Sequence, residues 1–562
     1  MRMLNASARA DDLERMSRES FDVLVIGGGV TGLGVAVDAA ARGYSVALVE
    51  KSDFASGTSS KSTKLVHGGI RYLPQFDFSL VHEALIERGL LIRNVPYLVR
   101  PLAFLLPLYA DARRPLGVPI VPPGGVGLDL ILETGLWMYD AMSGRRGIHL
   151  HKRVNVEQAL EMAPKLKSDG LKTAFVYWDA QTNDTRLAVA ILRAAAGLGV
   201  ALANYAEVIG FAEVNGRLVS AQVRDGLSGR ELTIRARHIV NATGVFAERV
   251  ASLTGEESRV AIAPSKGVHL VVDGARVGVT DTGVVLPETD DGRILFVVPW
   301  GDRAVIGTTD TGDGDLDHPE ASSEDIEYLL RHVNRYLNVD LTRDDLISVY
   351  AGYRPLVRSR ARPSANLSRT HVVLEEENGL VTIVGGKLTT YRRMAQDTLD
   401  TIARRDGLPI AHPTETLPLS GAIDWKRAQR NLSGRCAALG LAPDIEQSLA
   451  WNYGANGLDV LDLVAEDPAL GKRLIPDLPF IGAEIAYACR AEMALHLDDT
   501  LARRTRIELE ARDRGASVAA TAARLMAAEL DWTPEQERAE VAGYISELRR
   551  DELAEGLAPT GI

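Results

Sequence analysis

The feature that most constrains the fold is a glycine-rich turn that follows an apolar, β-branched segment near the start of the chain. Residues 21–26 (FDVLVI) are typical of a buried parallel strand, and they lead directly into GGGVTG, where Gly27, Gly29 and Gly32 occupy the G-x-G-x-x-G positions. The first glycine permits the tight turn, the second lets a pyrophosphate approach the backbone, and the third lets the following helix pack on the strand. The pattern predicts a dinucleotide site in a doubly wound α/β domain.

The next segments extend this pattern. We expect a helix over residues 31–42 and a strand over residues 44–49, after which Glu50 stands where a carboxylate can accept hydrogen bonds from an unphosphorylated ribose. The helix N-terminus favours phosphate groups. A lone glycine motif is a weak signal, but strand, glycines, helix, strand and acid in this order are specific. The motif by itself does not distinguish FAD from NAD.

Length and charge exclude several classes of protein. The 562 residues allow two or three domains, because single hydrophobic cores stop growing at roughly 250–300 residues. A formal net charge of −12 disfavours nucleic acid as a partner. Cys436 and Cys489, the two cysteines, are too few for a disulfide framework or a four-cysteine zinc site, and we expect both to be buried and no metal to be bound.

The sequence contains no segment that we expect to span a membrane. The most apolar run, residues 101–110, contains two prolines and is about half as long as the roughly 20 residues that a spanning helix needs. We interpret it as a buried strand or loop, and an exposed membrane-docking patch is the alternative. Residues 1–20, helical or flexible, include four acidic residues and lack the apolar run of a secretory signal.

Changes in the hydrophobic period divide the chain. We expect residues 21–412 to form the dinucleotide domain with an interleaved antiparallel substrate domain, the latter mainly from residues 75–165 and 261–375. Beyond that point, Ala- and Leu-rich segments with helical period predict a helical domain over residues 413–562. The predicted fold class is α/β, a Rossmann-like domain with an antiparallel β substrate domain and a C-terminal α-helical domain.

Three further segments resemble the FAD-dependent, quinone-linked glycerol-3-phosphate dehydrogenases, which belong to the D-amino-acid-oxidase-like group of flavoproteins. Residues 56–73 (SGTSSKSTKLVHGGIRYL) are similar to the flavin-side loop of that family. Residues 237–244 (RHIVNATG) resemble its strand that ends beside the cofactor, and residues 380–391 (LVTIVGGKLTTY) resemble its last flavin-contacting turn. The resemblance covers nearly everything from residue 22 to about residue 506 and implies noncovalently bound FAD.

The resemblance adds further cofactor contacts to the glycine turn and Glu50. These are Thr58, Ser59, Ser60, Lys64, Leu65, His67, Gly68, Gly69, Thr243, Gly244, Gly385, Gly386, Lys387, Leu388 and Thr389. For His67 the expectation is a flavin contact or a hydrogen bond that fixes the loop. Small hydroxyl residues and glycines can supply OH and NH donors to the pyrophosphate and the flavin at close range.

In the family, substrate-contacting residues occupy the places of Arg71, Tyr72, His269, Arg354, Arg369, Lys387 and Thr389. This set suits a phosphorylated alcohol, since guanidinium groups bind phosphate with bidentate geometry and lysine adds a compact charge. A neutral polyol would not require so many cations. The resemblance therefore implies oxidation of sn-glycerol 3-phosphate to dihydroxyacetone phosphate.

His269, Arg354 and Lys387 form the expected catalytic set. A hydride passes from C2 of the substrate to flavin N5, and His269 is expected to remove the hydroxyl proton because histidine accepts a proton near neutral pH. A lone histidine is more often structural, and the competing view is that Arg354 or Lys387 assists the developing oxyanion.

For the partners, the resemblance implies a quinone acceptor and a cytoplasmic protein attached peripherally to the inner face of the cell membrane, and a homodimer is compatible with it. The alternatives are an oxidase that produces hydrogen peroxide, another FAD enzyme of the amine-oxidising group, and a catalytically silent flavin-binding partner protein.

Three segments depart from the family pattern or mimic another motif. Residues 115–127 form a Pro/Gly-rich stretch that looks longer than usual. The basic residues Arg358, Arg360 and Arg362 are interpreted as a solvated loop, with attraction for anionic substrate or lipid headgroups as the alternative. Residues 313–317 (DGDLD) resemble the start of a calcium loop, but the required glycine and the closing glutamate are missing, so we expect an exposed acidic turn.

Overall fold

The structure, a computed structural model, describes residues 2–118, 127–255, 259, 261–312, 314–358 and 370–557. Arg369, which the resemblance places at the substrate, lies outside the described residues, as do Arg360 and Arg362.

The strands are β1 (Ser20–Ile26), β2 (Val46–Val49), β3 (Leu65–Val66), β4 (Arg100–Tyr109), β5 (Lys152–Val154), β6 (Leu171–Gln181), β7 (Ala201–Ala203), β8 (Ala206–Val214), β9 (Arg217–Asp225), β10 (Glu231–Asn241), β11 (Ile262–Asp273), β12 (Thr282–Leu286), β13 (Leu295–Trp300), β14 (Arg303–Gly307), β15 (Leu346–Val357), β16 (Val372–Glu375) and β17 (Val381–Val384).

The α-helices are α1 (Ala6–Arg18), α2 (Val30–Ala41), α3 (Phe78–Asn94), α4 (Leu128–Ser143), α5 (Val156–Met162), α6 (Asp184–Gly197), α7 (Ala247–Ser252), α8 (Gly274–Val277), α9 (Ser323–Tyr336), α10 (Tyr391–Asp406), α11 (Trp425–Ala438), α12 (Pro443–Tyr453), α13 (Gly457–Glu466), α14 (Gly482–Ala491), α15 (Ile507–Glu510), α16 (Ala519–Leu530) and α17 (Pro534–Glu555).

The first sheet has the order β16-β17-β10-β1-β2-β7, and β9 with β8 extends it from β10. The pairs from β17 through β10, β1 and β2 to β7 are parallel, whereas β16, β9 and β8 run antiparallel to their neighbours. All four residues of β2 are buried, as in a parallel sheet covered by helices on both faces. Helix α2 packs between α10 and α6. This arrangement confirms the predicted doubly wound α/β fold.

The second sheet has the order β15-β11-β14-β13-β12-β4-β6-β3, with β5 paired to β6. Its pairs are antiparallel, as predicted, except for the parallel pair β4 and β12. Strand β4 contains the apolar run of the sequence, and residues 102–109 are buried in it. The interpretation of this run as a buried strand is therefore correct, and the exposed patch is excluded for it.

After β17, the described residues of the chain form helices, as predicted for the C-terminal region. Buried ion pairs join this helical region to the first sheet and its helices. Arg504 and Arg503 both bind Asp53, at 2.7 and 2.6 Å, and Arg186 of α6 binds Glu492 at 2.7 Å. Cys436 and Cys489 are buried, as expected. The residues before β1 are helical, as α1 shows.

Candidate active site

A cavity of about 680 Å³ lies where the two sheets meet, and residues that follow β1, β2, β10 and β17 line it. In open α/β sheets, ligands bind beyond the carboxyl ends of the parallel strands. The volume of this cavity is within the range of pockets for small molecules and cofactors. The second sheet contributes Gly267 and His269 of β11, Phe296 of β13, and Gly352 and Arg354 of β15. The cavity therefore touches both the predicted cofactor residues and the predicted substrate residues.

Most of the residues predicted from the sequence line this cavity. They are Gly27, Gly29, Glu50, Thr58, Ser59, Leu65, His67, Arg71, Tyr72, Thr243, Gly244, His269, Arg354, Gly385, Gly386, Lys387, Leu388 and Thr389. Gly32, Ser60, Lys64, Gly68 and Gly69 are not among the lining residues.

The glycine turn leaves no room for side chains. Gly27 has φ +110°, and a Cβ atom there would lie 2.7 Å from the carbonyl oxygen of Ala242. A Cβ atom on Gly32 would lie 1.9 Å from the carbonyl oxygen of Gly27, so Gly32 serves the packing of α2 on the turn. Gly29 and Val30 bring the N-terminus of α2 to the cavity wall. Backbone N–H groups and the positive end of the helix dipole therefore border the cavity.

Glu50 lies at the end of β2, beside the glycine turn. Its carboxylate accepts hydrogen bonds from the backbone N–H groups of Gly28 at 2.6 Å and Ser52 at 2.9 Å. Burial raises the pKa of Glu50, and these two hydrogen bonds oppose the rise. Each carboxylate oxygen keeps a further lone pair for a ligand hydroxyl group.

The hydroxyl groups of the loop that follows mostly hold the loop itself. Thr58 donates to the carbonyl oxygen of Tyr353 at 2.6 Å, Ser60 donates to the carbonyl oxygen of Gly57 at 3.1 Å, and Ser59 accepts from the backbone N–H of Val30 at 3.0 Å. Thr58 and Ser59 line the cavity, but their hydroxyl groups already have protein partners.

The side chain of Lys64 differs from the sequence-based interpretation. Its ammonium group is buried, and it donates to Asp184 and to the carbonyl oxygen of Ser60, both at 2.6 Å. A buried charge without a counter-charge destabilises the folded protein. The buried carboxylate of Asp184 and the buried ammonium of Lys64 are therefore held together. The side chain of Lys64 is therefore an ion-pair partner of Asp184, and it is not among the residues that line the cavity.

The cations that the resemblance assigns to the substrate lie in two groups in the cavity wall. In the first, Arg71 donates to the hydroxyl group of Tyr72 at 2.8 Å, and the Lys387 ammonium lies 4.2 Å from the centroid of the Tyr72 ring. Thr389, which follows Lys387 in the same turn, accepts a hydrogen bond from the backbone N–H of His67 at 3.1 Å. The turn after β17 and the loop around His67 are thereby joined.

Arg354 forms the second cationic group. Its guanidinium donates to the hydroxyl groups of Thr308 at 2.9 Å and Ser265 at 3.2 Å, and to the carbonyl oxygen of Thr309 at 3.2 Å. A side chain at Gly267 is impossible without displacing this guanidinium, because a Cβ atom there would lie 2.4 Å from Nη2. These hydrogen bonds hold Arg354 at the cavity wall, and a carboxylate oxygen of Asp310 lies 3.8 Å from Nη1 of its guanidinium.

His269 lies in the middle of β11, where Tyr350 and Gly307 flank it on the neighbouring strands. Its Nε2 atom lies 2.9 Å from the Thr63 hydroxyl, and its Nδ1 atom is buried without a hydrogen-bond partner among the described residues. Burial lowers the pKa of His269 well below its usual range, and the positive charges of Arg354 and Lys64 lower it further. The imidazole is consequently neutral at pH 7, the form that can accept a proton.

Comparison with known proteins gives the same picture over the whole chain. Residues 22–392 match the model of the FAD dependent oxidoreductase family, and residues 412–537 match the C-terminal domain of alpha-glycerophosphate oxidase. Glycerol-3-phosphate dehydrogenase 2 of Mycobacterium tuberculosis is 39% identical over 98% of this chain and 92% of its own length. The chain belongs to the family of FAD-dependent glycerol-3-phosphate dehydrogenases.

Other members of the family agree. The human mitochondrial glycerol-3-phosphate dehydrogenase is 36% identical over 95% of this chain and 74% of its own length. The crystal structure of the glycerol-3-phosphate dehydrogenase from Bacillus halodurans complexed with FAD superimposes with a TM-score of 0.79 at 30% identity, and the match covers 97% of this chain and 98% of that one.

The dehydrogenase site fits FAD. The glycine turn excludes side chains, the α2 N-terminus and Glu50 border one part of the cavity, and Gly385 and Gly386, with φ +83° and +73°, open another. The glycine turn and helix N-terminus would hold the pyrophosphate, and Glu50 the ribose.

Three residues that contact the expected catalytic set were not predicted from the sequence. Thr63 contacts His269, Thr308 binds Arg354, and Tyr350 stacks on the imidazole with 4.8 Å between ring centroids. Thr63 lies within the hydroxyl-rich loop of residues 56–73 and Thr308 lies within residues 306–310, which also resemble the family, whereas Tyr350 carries no local signal. Only the pairing of β11 with β14 and β15 brings them to the site.

Proposed function

We propose that this enzyme oxidises the C2 hydroxyl group of sn-glycerol 3-phosphate to the ketone of dihydroxyacetone phosphate. The observation that carries the proposal is that one cavity is lined by the FAD cradle, by Arg71, Lys387 and Arg354, and by the buried neutral His269. Three cations around a site of this size suit a phosphate group, because guanidinium and ammonium groups are the side chains that bind phosphate most strongly. Thr389 and Tyr72 add hydroxyl groups to the same wall.

We assign the proton-accepting role to His269. Bound FAD supplies the acceptor for the hydride that leaves C2. The Nε2 atom, which reaches the Thr63 hydroxyl, is the nitrogen that takes the substrate's hydroxyl proton, either directly or through Thr63. For Nε2 to accept this proton, the neutral ring must carry its own hydrogen on Nδ1, which has no hydrogen-bond partner among the described residues. Burial and the charges of Arg354 and Lys64 disfavour the imidazolium form that results.

Arg354 and Lys387 have a different role in this scheme. Their charges stabilise the negative charge that develops on the substrate oxygen, and they hold the phosphate group. Binding of an anionic substrate also offsets the positive charge of Arg354, which keeps the pKa of free His269 low. Substrate binding would therefore strengthen His269 as a base.

The test is an anaerobic titration of the FAD-loaded protein with glycerol 3-phosphate, followed by flavin absorbance. We expect bleaching with glycerol 3-phosphate, much weaker bleaching with glycerol, and none with amino acids. Bleaching by amino acids would instead identify an amine-oxidising flavoenzyme, and a flavin that no substrate bleaches would identify a silent partner protein.

For the electron acceptor we propose a quinone in a membrane, and the supporting feature is an exposed apolar surface near the cavity. We define the α4 surface as Leu130, Ile131, Trp137 and Met138 with Phe76 and Phe78. The short helical segment Ile70–Gln75, which contains the cavity residues Arg71 and Tyr72, packs against α4 and leads into the two phenylalanines.

Lipid is the occupant that suits this surface best. Leu130 is 66% and Trp137 55% exposed, although α4 buries Leu132, Leu136 and Tyr139 on its other face. Arg145, Arg146 and Lys152 follow the helix, are exposed, and form no ion pair with any described residue. Apolar and aromatic side chains beside unpaired basic residues are typical of surfaces that bind anionic bilayers. No described helix is long and apolar enough to cross a bilayer.

Sedimentation with vesicles tests the membrane proposal. We expect binding to vesicles that contain phosphatidylglycerol, weaker binding to phosphatidylcholine alone, and a blue shift of Trp137 emission. Leu130→Gln/Met138→Gln and Arg145→Gln/Arg146→Gln should each weaken binding and leave flavin bleaching unchanged. A second copy of the chain is the rival occupant, and concentration-dependent dimerisation that the Leu130→Gln/Met138→Gln variant abolishes would overturn the lipid proposal.

The oxidase alternative is tested separately. We expect a quinone analogue to reoxidise the bleached enzyme much faster than oxygen does. A stoichiometric yield of hydrogen peroxide with no acceleration by the quinone analogue would establish the oxidase instead.

A further inference from the structure

Asp317 belongs to the acidic segment that mimics the start of a calcium loop, of which Asp313 lies outside the described residues. Asp317 lies on a loop that follows β14 of the second sheet, and its carboxylate binds Lys51 and, at 3.0 Å, Arg249. Lys51 follows Glu50 at the end of β2, and Arg249 lies on α7 after β10. One carboxylate from the second sheet therefore ties together two segments that leave the first sheet.

Both basic residues belong to the cavity wall. Lys51 and Arg249 line the cavity together with Phe246, and the Lys51 ammonium lies 3.7 Å from the centroid of the Phe246 ring. Glu50, the residue before Lys51, marks this part of the cavity as the ribose end of the site. Asp317 itself does not line the cavity, so it acts on the wall through its two partners.

We propose that Asp317 is a latch that slows the release of FAD by holding Lys51 and Arg249 in the cavity wall. Lys51 and Arg249 are the residues that contact the cavity, and Asp317 is a positioning residue. The inference concerns the cofactor of the family and does not depend on which substrate the enzyme oxidises.

Two physical effects oppose each other here, and their balance fixes the sign of the prediction. Removal of Asp317 frees the wall to open, which speeds release. It also uncovers two positive charges that attract an anionic cofactor. The side chains of Lys51 and Asp317 are 33% and 38% exposed, so solvent weakens the longer-range attraction of the uncovered charges for the cofactor even at low salt. The contact ion pairs with Asp317 persist at low salt and are weakened only at high salt. The pKa of Asp317 is lowered, because its hydrogen bonds with Lys51 and Arg249 outweigh the effect of burial, so the carboxylate is charged at neutral pH.

The experiment measures the rate of FAD release from the purified holoenzyme by flavin fluorescence after dilution, at about 0.05 M and about 1 M NaCl. Two exposed ion pairs predict release about 3- to 10-fold faster in Asp317→Asn at low salt. The wild-type rate should rise with salt and approach the rate of the variant, since the screening length falls to about 3 Å at 1 M. Arg249→Gln, which removes one arm of the latch, should show an intermediate rate.

The matched control is Asp315→Asn, which makes the same charge change two residues away. Asp315 accepts the backbone N–H of Asp317 at 2.9 Å, and the asparagine oxygen can still do so. The release rate of Asp315→Asn should equal that of the wild type.

An Asp317→Asn rate equal to or slower than the wild-type rate would overturn the latch, and so would an acceleration that is the same at both salt concentrations. Thermal melting of each holoenzyme identifies any variant that is merely misfolded. Flavin bleaching by glycerol 3-phosphate is a separate readout, so a failure of the proposed reaction would not affect this test.

Discussion

The imidazole ring of His269 lies parallel to the ring of Tyr350, with 4.8 Å between the centroids and an interplanar angle of 13°. The two residues are direct partners across the antiparallel pair β11 and β15. The Tyr350 hydroxyl donates to the carbonyl oxygen of Ser62, and the Lys64 ammonium lies 4.9 Å from the centroid of the Tyr350 ring. The Tyr350 ring therefore covers one face of the His269 imidazole, and the pairing of β11 with β15 orients the imidazole towards Thr63.

We expect Tyr350→Leu to lower kcat about 10- to 100-fold with a much smaller change in KM, because the imidazole loses the surface that orients it. Tyr350→Phe keeps the stacked ring and loses a single hydrogen bond, so kcat should fall less than about 10-fold. Steady-state kinetics and the FAD content of both variants check this. Equal losses in the two variants would show that the stack has no role in orientation.

The pH dependence follows from the state of His269. Only the neutral imidazole accepts a proton, so activity falls as the pH drops through the pKa of His269. Since burial, Arg354 and Lys64 lower this pKa, the acid limb of kcat/KM should lie well below pH 6.5. His269→Asn should lose most of the activity and this limb with it. An acid limb at or above pH 6.5 that persists in His269→Asn would assign the proton transfer to another group.

Arg354→Met should raise KM for glycerol 3-phosphate about 10- to 100-fold, because a phosphate group loses a charged hydrogen-bonding partner. The KM of Arg354→Lys should lie between that of Arg354→Met and that of the wild type, since lysine keeps the charge but not the fork-shaped donor geometry. Arg358→Met is the matched control, because Arg358 is an exposed arginine four residues further along. An equal rise in KM for Arg358→Met would favour general attraction of anions by this loop.

The ion pairs of Asp53 join the first sheet to the helical domain, and we expect their loss to lower the stability of the protein. The carboxylate of Asp53 is buried and binds Arg503 and Arg504. Asp53→Asn removes the charged partner of the buried Arg504 guanidinium. Arg503, in contrast, keeps its ion pairs with Asp498 and Asp499. We expect a loss of about 3–5 kcal/mol in the free energy of unfolding, measured by urea denaturation. Asp169→Asn, which changes an exposed aspartate, should have no comparable effect.

The titration of Asp53 leads us to expect that the stability of the protein depends on pH. Burial raises the pKa of Asp53, but Arg504 and Arg503 outweigh burial and lower the pKa from 3.8 to about 2. Because the folded-state pKa is depressed, the stabilisation is fully present above pH 3.8 and is lost as the pH falls towards 2. The difference in stability between wild type and Asp53→Asn should shrink over that interval. A difference that stays constant there would contradict the ion-pair explanation.

Particular residues show where inference from the sequence succeeded. The turn at Gly27 and the acid at Glu50 were predictable, because strand, turn, helix and strand are consecutive and their geometry depends on neighbours in the chain. The change to helices after β17 was predictable for the same reason.

The partner of Lys64 was not predictable. Lys64 was assigned to the cofactor because it lies within the flavin-side loop, and Asp184, which binds its ammonium group, is far along the chain.

The sequence by itself determined the glycine cradle and the order of strands and helices around it, and its resemblance to the family indicated the cations from which a phosphate site can be built. The tertiary structure alone decided which side chains meet. Tyr350 behind His269, Thr308 beside Arg354, Asp317 across Lys51 and Arg249, and Asp53 between two arginines are all contacts between distant segments. The physical reason is that local patterns fix backbone conformation through neighbouring residues, whereas strand pairing and burial fix side-chain partners and, through them, the pKa of the proposed base.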